Sequence, residues 1–406
     1  MNYLVLDPSG LFMEHANGLA KGGHKVKFWT QFNYQFRDFS IGLNYGELEK
    51  VLYWAEHVEW ADCIVGFDVR LQDVIGYLRD TLPNKSVFGS GWAGKLEDDR
   101  IILKQFAEAF KLPVQNYAVV KGISNLREYL KKHPNVFVKT NIFRDDCESF
   151  YSKDYDTVEA EIDAVSDGLG AHKEEYDFVV EDCIETDVEI GFDGFFDGKD
   201  YCRPYLIGYE WRKNLYLGKV VDKLPPAIEE TMGHFRPVFE RLGWRGALST
   251  EEKIVSQKEH YLLDLCARLA HPFTAGYTEW IRNWPEFVYG IGKGQPVSPQ
   301  FKSKYVGAFT LKSGKANDAF IKVSRKDPSK VKLVNAMGGP KGEYAVKGED
   351  HVAILIAEGD SPEEVIEQIK KNAELVDANG LDKESLNGID KIFEIIKEGE
   401  SVGIKF

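Results

Sequence analysis

The sequence lacks the features of nucleic-acid-binding, secreted and membrane proteins. Its net charge of −14 opposes binding to a polynucleotide, so nucleic acid is excluded as the expected partner. The five cysteines are widely spaced and form no Cys-x-x-Cys pair, which favours reduced thiols in a cytoplasmic protein over disulfides or a zinc site. No stretch approaches the roughly 20 apolar residues of a membrane span, and residues 1–7 are typical of a strand and not of a signal peptide.

Internal repeats, low-complexity tracts and a G-x-G-x-x-G fingerprint are also missing, so the first turn gives no sign of dinucleotide binding. The remaining composition is ordinary for a soluble chain, with 43% hydrophobic and 29% charged residues. A chain of 406 residues is too long for one ordinary core and fits two to four subdomains.

The first hundred residues alternate between short apolar runs and amphipathic segments. This alternation predicts a doubly wound parallel α/β sheet. The predicted strands are 3–6, 24–29, 62–66 and 86–89, and the predicted helices are 14–20, 48–58 and 74–80. An amphipathic helix over 98–111 follows, and then a strand–helix–strand unit over 117–139.

The C-terminal third has a different pattern. Residues 304–322, 330–347 and 350–359 are strand-rich, and Ser361 followed by Pro362 and two glutamates is a strong helix start. We therefore expect a small β-rich α+β domain from about residue 300.

The most informative stretch is 246–269, which predicts two strands joined by a polar turn with acids inside both. A carboxylate within an apolar strand is costly to bury unless it has a partner or a role. In a hairpin, Glu252 and Asp264 can converge on one face. Paired carboxylates suit Mg²⁺, which prefers oxygen ligands and usually also holds phosphates, so this pair indicates nucleotide chemistry.

Other polar residues precede this hairpin in a definite order, and each also has an ordinary structural interpretation. Lys139 ends a buried strand, where a lysine often extends to solvent. Residues 181–184 leave a strand for a turn, and Glu189 stands among apolar neighbours. The acids of the hairpin could equally be solvated at a sheet edge.

Taken in order, this series resembles the ATP-grasp superfamily, and most of the chain is similar to the glycinamide ribonucleotide synthetases (phosphoribosylamine–glycine ligases). The matching stretches are 7–16, 87–113, 246–248, 267–272 and 352–359. The resemblance implies an ATP-grasp fold with an N-terminal doubly wound parallel α/β domain and a small C-terminal β-rich α+β domain. The implied units are a pre-ATP-grasp domain (1–110), a lid subdomain (111–190), a central metal-binding subdomain (191–300) and the C-terminal domain (301–406).

The resemblance also implies a nucleotide site. Lys139 would bind the phosphates and act in catalysis, and Arg100 would contact a phosphate. Glu181 and Ile184 would receive the adenine, with the acid hydrogen-bonding its amine, and Glu189 would hold the ribose hydroxyls.

The metal and phosphoryl-transfer roles fall on the hairpin. Glu252 and Asp264 would bind the metal, and Arg268 would stabilise the transferred phosphoryl group. The implied cofactors are ATP and Mg²⁺, with Mn²⁺ as the alternative metal.

Some residues depart from the family pattern. The glycine-rich loop after the strand lysine is replaced by residues 140–150, which contain no glycine, and the metal-site asparagine is Cys266, a poor Mg²⁺ ligand. Arg212 and Lys213 stand near a missing glycine-rich segment, either as ligands of an anionic substrate or as solvated turn residues. His271 replaces an acid and is a further candidate substrate contact.

The expected activity is ATP-dependent formation of an amide from a carboxylate and an amine through an acylphosphate, as in purine biosynthesis. One alternative is an amino-acid or peptide ligase with a different amine acceptor. Another is a non-catalytic ATP-binding module, which the glycine-free loop and Cys266 favour. The expected partners are small-molecule carboxylates and amines, without nucleic acid or membrane, for a cytoplasmic monomer or homodimer.

Overall fold

The N-terminal part of the chain forms a parallel sheet in the order β3-β2-β1-β4-β5. The computed structural model describes residues 1–31, 40–142, 149–186 and 188–406. The strands of this sheet are β1 Asn2–Leu6, β2 Lys25–Trp29, β3 Glu49–Lys50, β4 Cys63–Gly66 and β5 Ser86–Phe88. The helices are α1 Met13–Lys21, α2 Gln72–Thr81, α3 Lys95–Asp98 and α4 Arg100–Ala109. From β1 the chain adds β2 and β3 on one side and then returns to add β4 and β5 on the other side. This change of winding direction confirms the predicted doubly wound arrangement.

The helix predicted over 48–58 is wrong. This segment contains the edge strand β3 and a single 3₁₀ turn, Trp54–His57. The backbone N–H of Val51 donates to the carbonyl of Phe28 over 2.9 Å, so pairing with β2 satisfies the backbone where a helix was expected.

The predicted strand–helix–strand unit lies in a second, antiparallel sheet with the order β6-β9-β7-β8. Its strands are β6 Tyr117–Lys121, β7 Val136–Thr140, β8 Ser149–Ser152 and β9 Asp177–Asp182, and its helices are α5 Ile123–Leu130 and α6 Glu159–Leu169. A separate hydrophobic core, including Leu126, Val138 and Ile162, lies between these helices and the sheet. Residues 143–148 of the glycine-free loop lie outside the described residues.

The central region confirms the predicted hairpin. Its strands are β10 Glu189–Phe196, β11 Tyr205–Trp211, β12 Leu215–Val221, β13 Gly246–Ser256 and β14 Glu259–Cys266, with helix α7 Pro226–Arg241 before the hairpin. Two helices follow the hairpin, α8 Tyr277–Trp280 and α9 Trp284–Lys293.

The C-terminal strands extend this central sheet, whose full order is β14-β13-β10-β11-β12-β15-β20-β17, and also form a smaller sheet, β18-β19-β16-β21. They are β15 Tyr305–Lys312, β16 Ile321–Arg325, β17 Val331–Leu333, β18 Ala336–Gly339, β19 Gly342–Ala345, β20 His351–Gly359 and β21 Val376–Ala378. The helices are α10 Pro362–Asn372, capped by the Ser361 hydroxyl as predicted, and α11 Ile392–Ser401. A continuous sheet therefore crosses the predicted boundary at 300/301, and the four-unit partition stays a prediction. Among the described residues, no helix has the length and apolarity needed to span a bilayer.

A buried ion pair connects the N-terminal and C-terminal parts. Glu14 on α1 accepts hydrogen bonds from Arg325 on β16 over 2.9 Å and from the Tyr45 hydroxyl over 2.7 Å. Glu14 and Arg325 are both nearly inaccessible to solvent. Burial opposes ionisation of Glu14, but Lys332 and Arg325 outweigh it and lower the pKa of the carboxyl from its ordinary 4.5 to about 2.

We expect Glu14→Gln to lower the free energy of unfolding by about 3 kcal/mol at pH 7, because removing one member of a buried pair leaves the other uncompensated. Since the carboxyl has a depressed pKa, its contribution is present above pH 4.5 and is lost as the pH falls toward 2. Urea unfolding at several pH values measures this difference. The exposed Glu56→Gln variant should change stability by no more than about 0.5 kcal/mol, and an equal effect of both variants would contradict the prediction.

Candidate active site

A cleft of about 760 Å³ lies on one face of the central sheet, next to a connected cavity of about 370 Å³. Side chains on a strand alternate between the two faces, so every second residue of neighbouring strands faces this cleft. Its lining includes Glu189, Gly191 and Asp193 of β10, Gly208 and Glu210 of β11, and Ser249, Glu251 and Lys253 of β13. The cleft is therefore rich in carboxylates that project from the sheet.

The hairpin register brings Glu251, and not Glu252, to Asp264. Glu251 pairs directly with Asp264, while Glu252 pairs with Leu262 after a register shift between the two glutamates. Glu251 and Asp264 both line the smaller cavity. The prediction that Glu252 and Asp264 share one face is corrected accordingly, because neighbouring strand residues point to opposite faces.

Glu252 lies on the other face of the sheet, where it is fully buried against α7. Its carboxylate accepts a hydrogen bond from the Thr231 hydroxyl over 3.1 Å and contacts Nδ1 of the buried His260 at the same distance. This environment explains the acid without a metal, since buried carboxylates require partners of this kind.

The two cleft acids have opposite electrostatic environments. Partial desolvation within the cleft, together with repulsion from Asp264 and Glu189, raises the pKa of Glu251 to about 7, although the side chain remains exposed to the solvent of the cleft. Burial also opposes ionisation of Asp264, but Lys139 and Arg100 outweigh it and lower its pKa. A cation between the two carboxylates would relieve the repulsion on Glu251.

The donor set fits Mg²⁺. In the described parts of the chain, no group of three or more histidine, cysteine, aspartate or glutamate side chains is arranged to hold a metal ion. Mg²⁺ is commonly held by only one or two carboxylates together with phosphates and water, so the pair Glu251 and Asp264 is sufficient for it.

Buried cations face this pair from β7 of the antiparallel sheet β6-β9-β7-β8 and from α4. The Lys139 ammonium contacts Asp264 at 3.3 Å and Glu181 at 3.2 Å, and Lys104 contacts Glu181 at 2.7 Å. Gln115 also donates to Glu181, over 2.7 Å. Glu181 is thus enclosed by lysines and an amide. We did not predict Lys104 or Gln115 as site residues, although a lysine within an amphipathic helix was a usable signal.

Two arginines complete the positive side of the cavity. Arg100 donates to the Thr140 carbonyl over 2.7 Å, and its Nε lies 3.7 Å from Asp264. Arg268 pairs with Glu97 at 2.9 Å while still lining the cavity. Both arginines are held by the protein, so their guanidinium groups are positioned before any ligand binds.

The other predicted site residues are divided between two cavities. Glu189, Arg212, Lys213 and His271 line the main cleft, and Glu189 is paired with Lys253 at 3.4 Å. Arg212 and Lys213 form the tight turn between β11 and β12, with left-handed φ values of 52° and 54°. Ile184 instead lines a separate cavity of about 460 Å³ beside residues 114–116.

The different environments of the neighbouring glutamates lead to opposite expectations for stability. Glu252→Gln should lower the free energy of unfolding by about 2 kcal/mol, because it weakens the hydrogen bonds that the buried carboxyl makes with Thr231 and His260. Glu251→Gln should raise the free energy of unfolding, because it removes a carboxylate that Asp264 and Glu189 repel. As the pKa of Glu251 is raised from 4.5 to about 7, the gain is full above pH 7 and vanishes as the pH falls to 4.5. Denaturant titrations at pH 5 and pH 8 measure both effects, and destabilisation by Glu251→Gln at pH 8 would contradict this assignment.

Comparison with solved structures relates this geometry to known enzymes. The chain is similar to phosphoribosylamine–glycine ligase from Thermotoga maritima (TM-score 0.68, 15% identity, 94% of this chain and 98% of that one). It is also similar to the biotin carboxylase domain of 2-oxoglutarate carboxylase from Hydrogenobacter thermophilus (TM-score 0.69, 12% identity, 100% and 99%). A third similar structure is N5-carboxyaminoimidazole ribonucleotide synthetase (TM-score 0.60, 12% identity, 92% and 96%).

No protein-family model matches the chain, and no curated protein matches it either. The solved structures are ATP-grasp enzymes that this chain matches over nearly its whole length. The ATP-grasp fold predicted from the sequence is therefore confirmed.

Proposed function

We propose that the protein is an ATP-dependent carboxylate–amine ligase that binds Mg²⁺-ATP in the cleft. The observation that carries the proposal is the meeting of two carboxylates, Glu251 and Asp264, with the buried cations Lys139 and Arg100 at one cavity of an ATP-grasp fold. Adjacent positive and negative groups of this kind suit a phosphate chain that carries a divalent cation.

Ligands of similar proteins support ATP and magnesium. The Hydrogenobacter biotin carboxylase domain was solved with MgADP, and the N5-carboxyaminoimidazole ribonucleotide synthetase with ADP. For this chain we assign the metal to Glu251 and Asp264, with Mn²⁺ as the alternative ion. Bound there, the metal would neutralise charge on the terminal phosphates.

The remaining nucleotide contacts are also proposals. Lys139 and Arg100 would bind the phosphates, and Glu189 would accept hydrogen bonds from the ribose hydroxyls. Ile184 lines a separate cavity, so its contact with the adenine stays a prediction from the sequence. The carboxylate of Glu181 is engaged by Lys139, Lys104 and Gln115, so we reassign it from adenine recognition to positioning of the two lysines.

The proposed reaction has two steps. A carboxylate oxygen of the first substrate attacks the γ-phosphorus of ATP, which releases ADP and leaves an acylphosphate. The amine then attacks the acyl carbon and phosphate leaves, forming the amide. Arg268, fixed by Glu97, would stabilise negative charge on the transferred phosphoryl group, while Lys139 would hold the phosphates in position. Glycine and phosphoribosylamine are the first substrates to test, on the similarity to the Thermotoga ligase.

A catalytically inactive ATP-binding module is the second candidate. Cys266 lines the cleft beside the acids, and burial, together with Glu97, raises the pKa of its thiol well above the ordinary value. A protonated thiol does not bind Mg²⁺, so one metal ligand of active ligases would be missing. The amine acceptor, cytoplasmic location and oligomeric state stay predictions.

Asp264→Asn should lower ADP release by about 100-fold or more in the presence of Mg²⁺, because the variant loses a metal ligand and a partner of Lys139. The assay measures ADP with ATP, glycine and phosphoribosylamine, and then with a panel of amino acids and amines.

Glu56→Gln, an exposed change of the same kind, should leave ADP release unchanged, and unfolding measurements should verify that Asp264→Asn is folded. Undiminished ADP release by folded Asp264→Asn would overturn the metal assignment. Binding of ATP without turnover of any substrate pair by the unmodified protein would favour the inactive module.

A further inference from the structure

Every donor of the Lys139 ammonium group is already used by the protein. Its acceptors are Oδ2 of Asp264 at 3.3 Å, the carbonyl of Leu263 at 3.2 Å and Oε2 of Glu181 at 3.2 Å. An ammonium group has three N–H donors, so these three contacts satisfy it. Lys139 is only 8% exposed, and the cavity wall beside it is formed by Arg100 and Asp264.

A bulge in β14 supplies one of these acceptors. The register of the hairpin shifts beside Asp264, and the pairing with β13 skips Leu263. A bulged residue leaves the ladder of the sheet, so its carbonyl becomes available to another group. Here that group is the ammonium of Lys139. The bulge therefore fixes the lysine next to the acid that we assign to the metal.

Both carboxylate oxygens of Asp264 face positive charges of the protein. Oδ2 contacts Lys139 at 3.3 Å, and Oδ1 lies 3.7 Å from Nε of Arg100. The second acid beside Lys139 is Glu181, which has its own cation in Lys104 at 2.7 Å. The charge of Asp264 is thus offset before any ligand binds. A free divalent cation would have to compete with the lysine for this carboxylate.

We propose that Lys139 serves as the internal cation of the metal site when no nucleotide is bound, and that the metal enters together with the nucleotide. A phosphate oxygen would replace Asp264 as the third acceptor of the ammonium group, and the released carboxylate would bind the metal together with Glu251. The Leu263 carbonyl and Glu181 would hold the lysine during this exchange. The inference rests on the proposed binding of Mg²⁺-ATP and specifies how its two components are linked.

Arg100 is the group that an incoming phosphate would contact first. It lines the cavity, and its buried Nε makes no hydrogen bond with any described residue. Its Nη1 donates to the Thr140 carbonyl over 2.7 Å, which fixes the orientation of the guanidinium group. Buried donors are normally paired, so the Nε atom is available to an anionic ligand. A phosphate bound there would adjoin Asp264 and therefore Lys139.

Competition for Asp264 gives the loss of the lysine two opposite effects. Without the ammonium group, the carboxylate keeps its full attraction for a metal ion, so binding of the metal alone should become stronger. The nucleotide loses a phosphate contact, so its binding without metal should become weaker. A lysine that only binds phosphate, or that only stabilises the fold, would give no gain in affinity for the metal alone.

Titration with Mn²⁺, followed by electron paramagnetic resonance, measures the affinity for the metal alone. Lys139→Met should bind Mn²⁺ without nucleotide about ten-fold more tightly than the unmodified protein. Lys139→Gln keeps a hydrogen-bond donor without the charge, so it should show the same gain and replaces Lys139→Met if that variant does not fold. Lys121→Met, an exposed change on the same sheet, should leave the affinity unchanged. Unchanged or weaker Mn²⁺ binding by a folded variant without charge at position 139 would overturn the proposal.

A second titration separates this inference from the proposed function. Without metal, β,γ-imido-ATP should bind Lys139→Met about ten-fold more weakly than the unmodified protein. If Mn²⁺ and the nucleotide both bind more weakly, general damage to the site explains the result and the proposal fails. If the unmodified protein does not bind the nucleotide with or without Mn²⁺, the proposed function fails. The gain in Mn²⁺ affinity of Lys139→Met then decides alone whether the lysine is the internal cation.

Discussion

The arrangement of the cleft depends on one buried ammonium group. Lys139 projects from β7 and contacts Glu181 on β9 of the same sheet and Asp264 of the central hairpin, at 3.2 and 3.3 Å. Burial opposes its charge, but Asp264 and Glu181 outweigh this effect and raise the pKa of the lysine. The lysine therefore stays charged, holds two sheets together, and keeps Asp264 ionised where a metal would bind. Through this lysine, the sheet β6-β9-β7-β8 and the hairpin β13–β14 form two sides of one site.

The cleft also contains unfavourable electrostatic interactions between carboxylates. Glu251 and Glu210 face other acids without an ion-pair partner among the described residues, and the pKa of each is raised. Repulsion of this kind lowers stability and is typical of functional sites, where a ligand supplies the missing charge. Glu14 and Arg325 show the contrasting case, because there each charge has an ion-pair partner. Acids that lack an ion-pair partner therefore indicate a binding site, and paired charges indicate a structural role.

Much of the fold could be predicted from the periodicity of apolar residues and from turn and capping residues. The parallel sheet, the hairpin and the capped helix at Ser361 all depend on such local signals. The helix expected over 48–58 failed because edge pairing with β2 decided that segment. The continuity of the central sheet into the C-terminal third could not be predicted either, because strand pairing between distant segments leaves no local mark.

The sequence predicted which strands and helices form the site, but it did not predict every side chain in it. Lys139, Arg100, Asp264 and Arg268 do line or adjoin the same cavity. The choice between Glu251 and Glu252 depended on a register shift inside the hairpin, which no pattern of apolar residues specifies when two acids are adjacent.

The central claim is that the cleft binds the phosphates of ATP through a metal. Calorimetric titration of the intact protein with β,γ-imido-ATP, with and without Mg²⁺, tests it most directly. We expect saturable binding that strengthens at least about ten-fold when Mg²⁺ is present, since Glu251 and Asp264 would hold the metal and the metal would neutralise charge on the phosphates. Absence of binding, or binding of equal strength without any divalent cation, would contradict it.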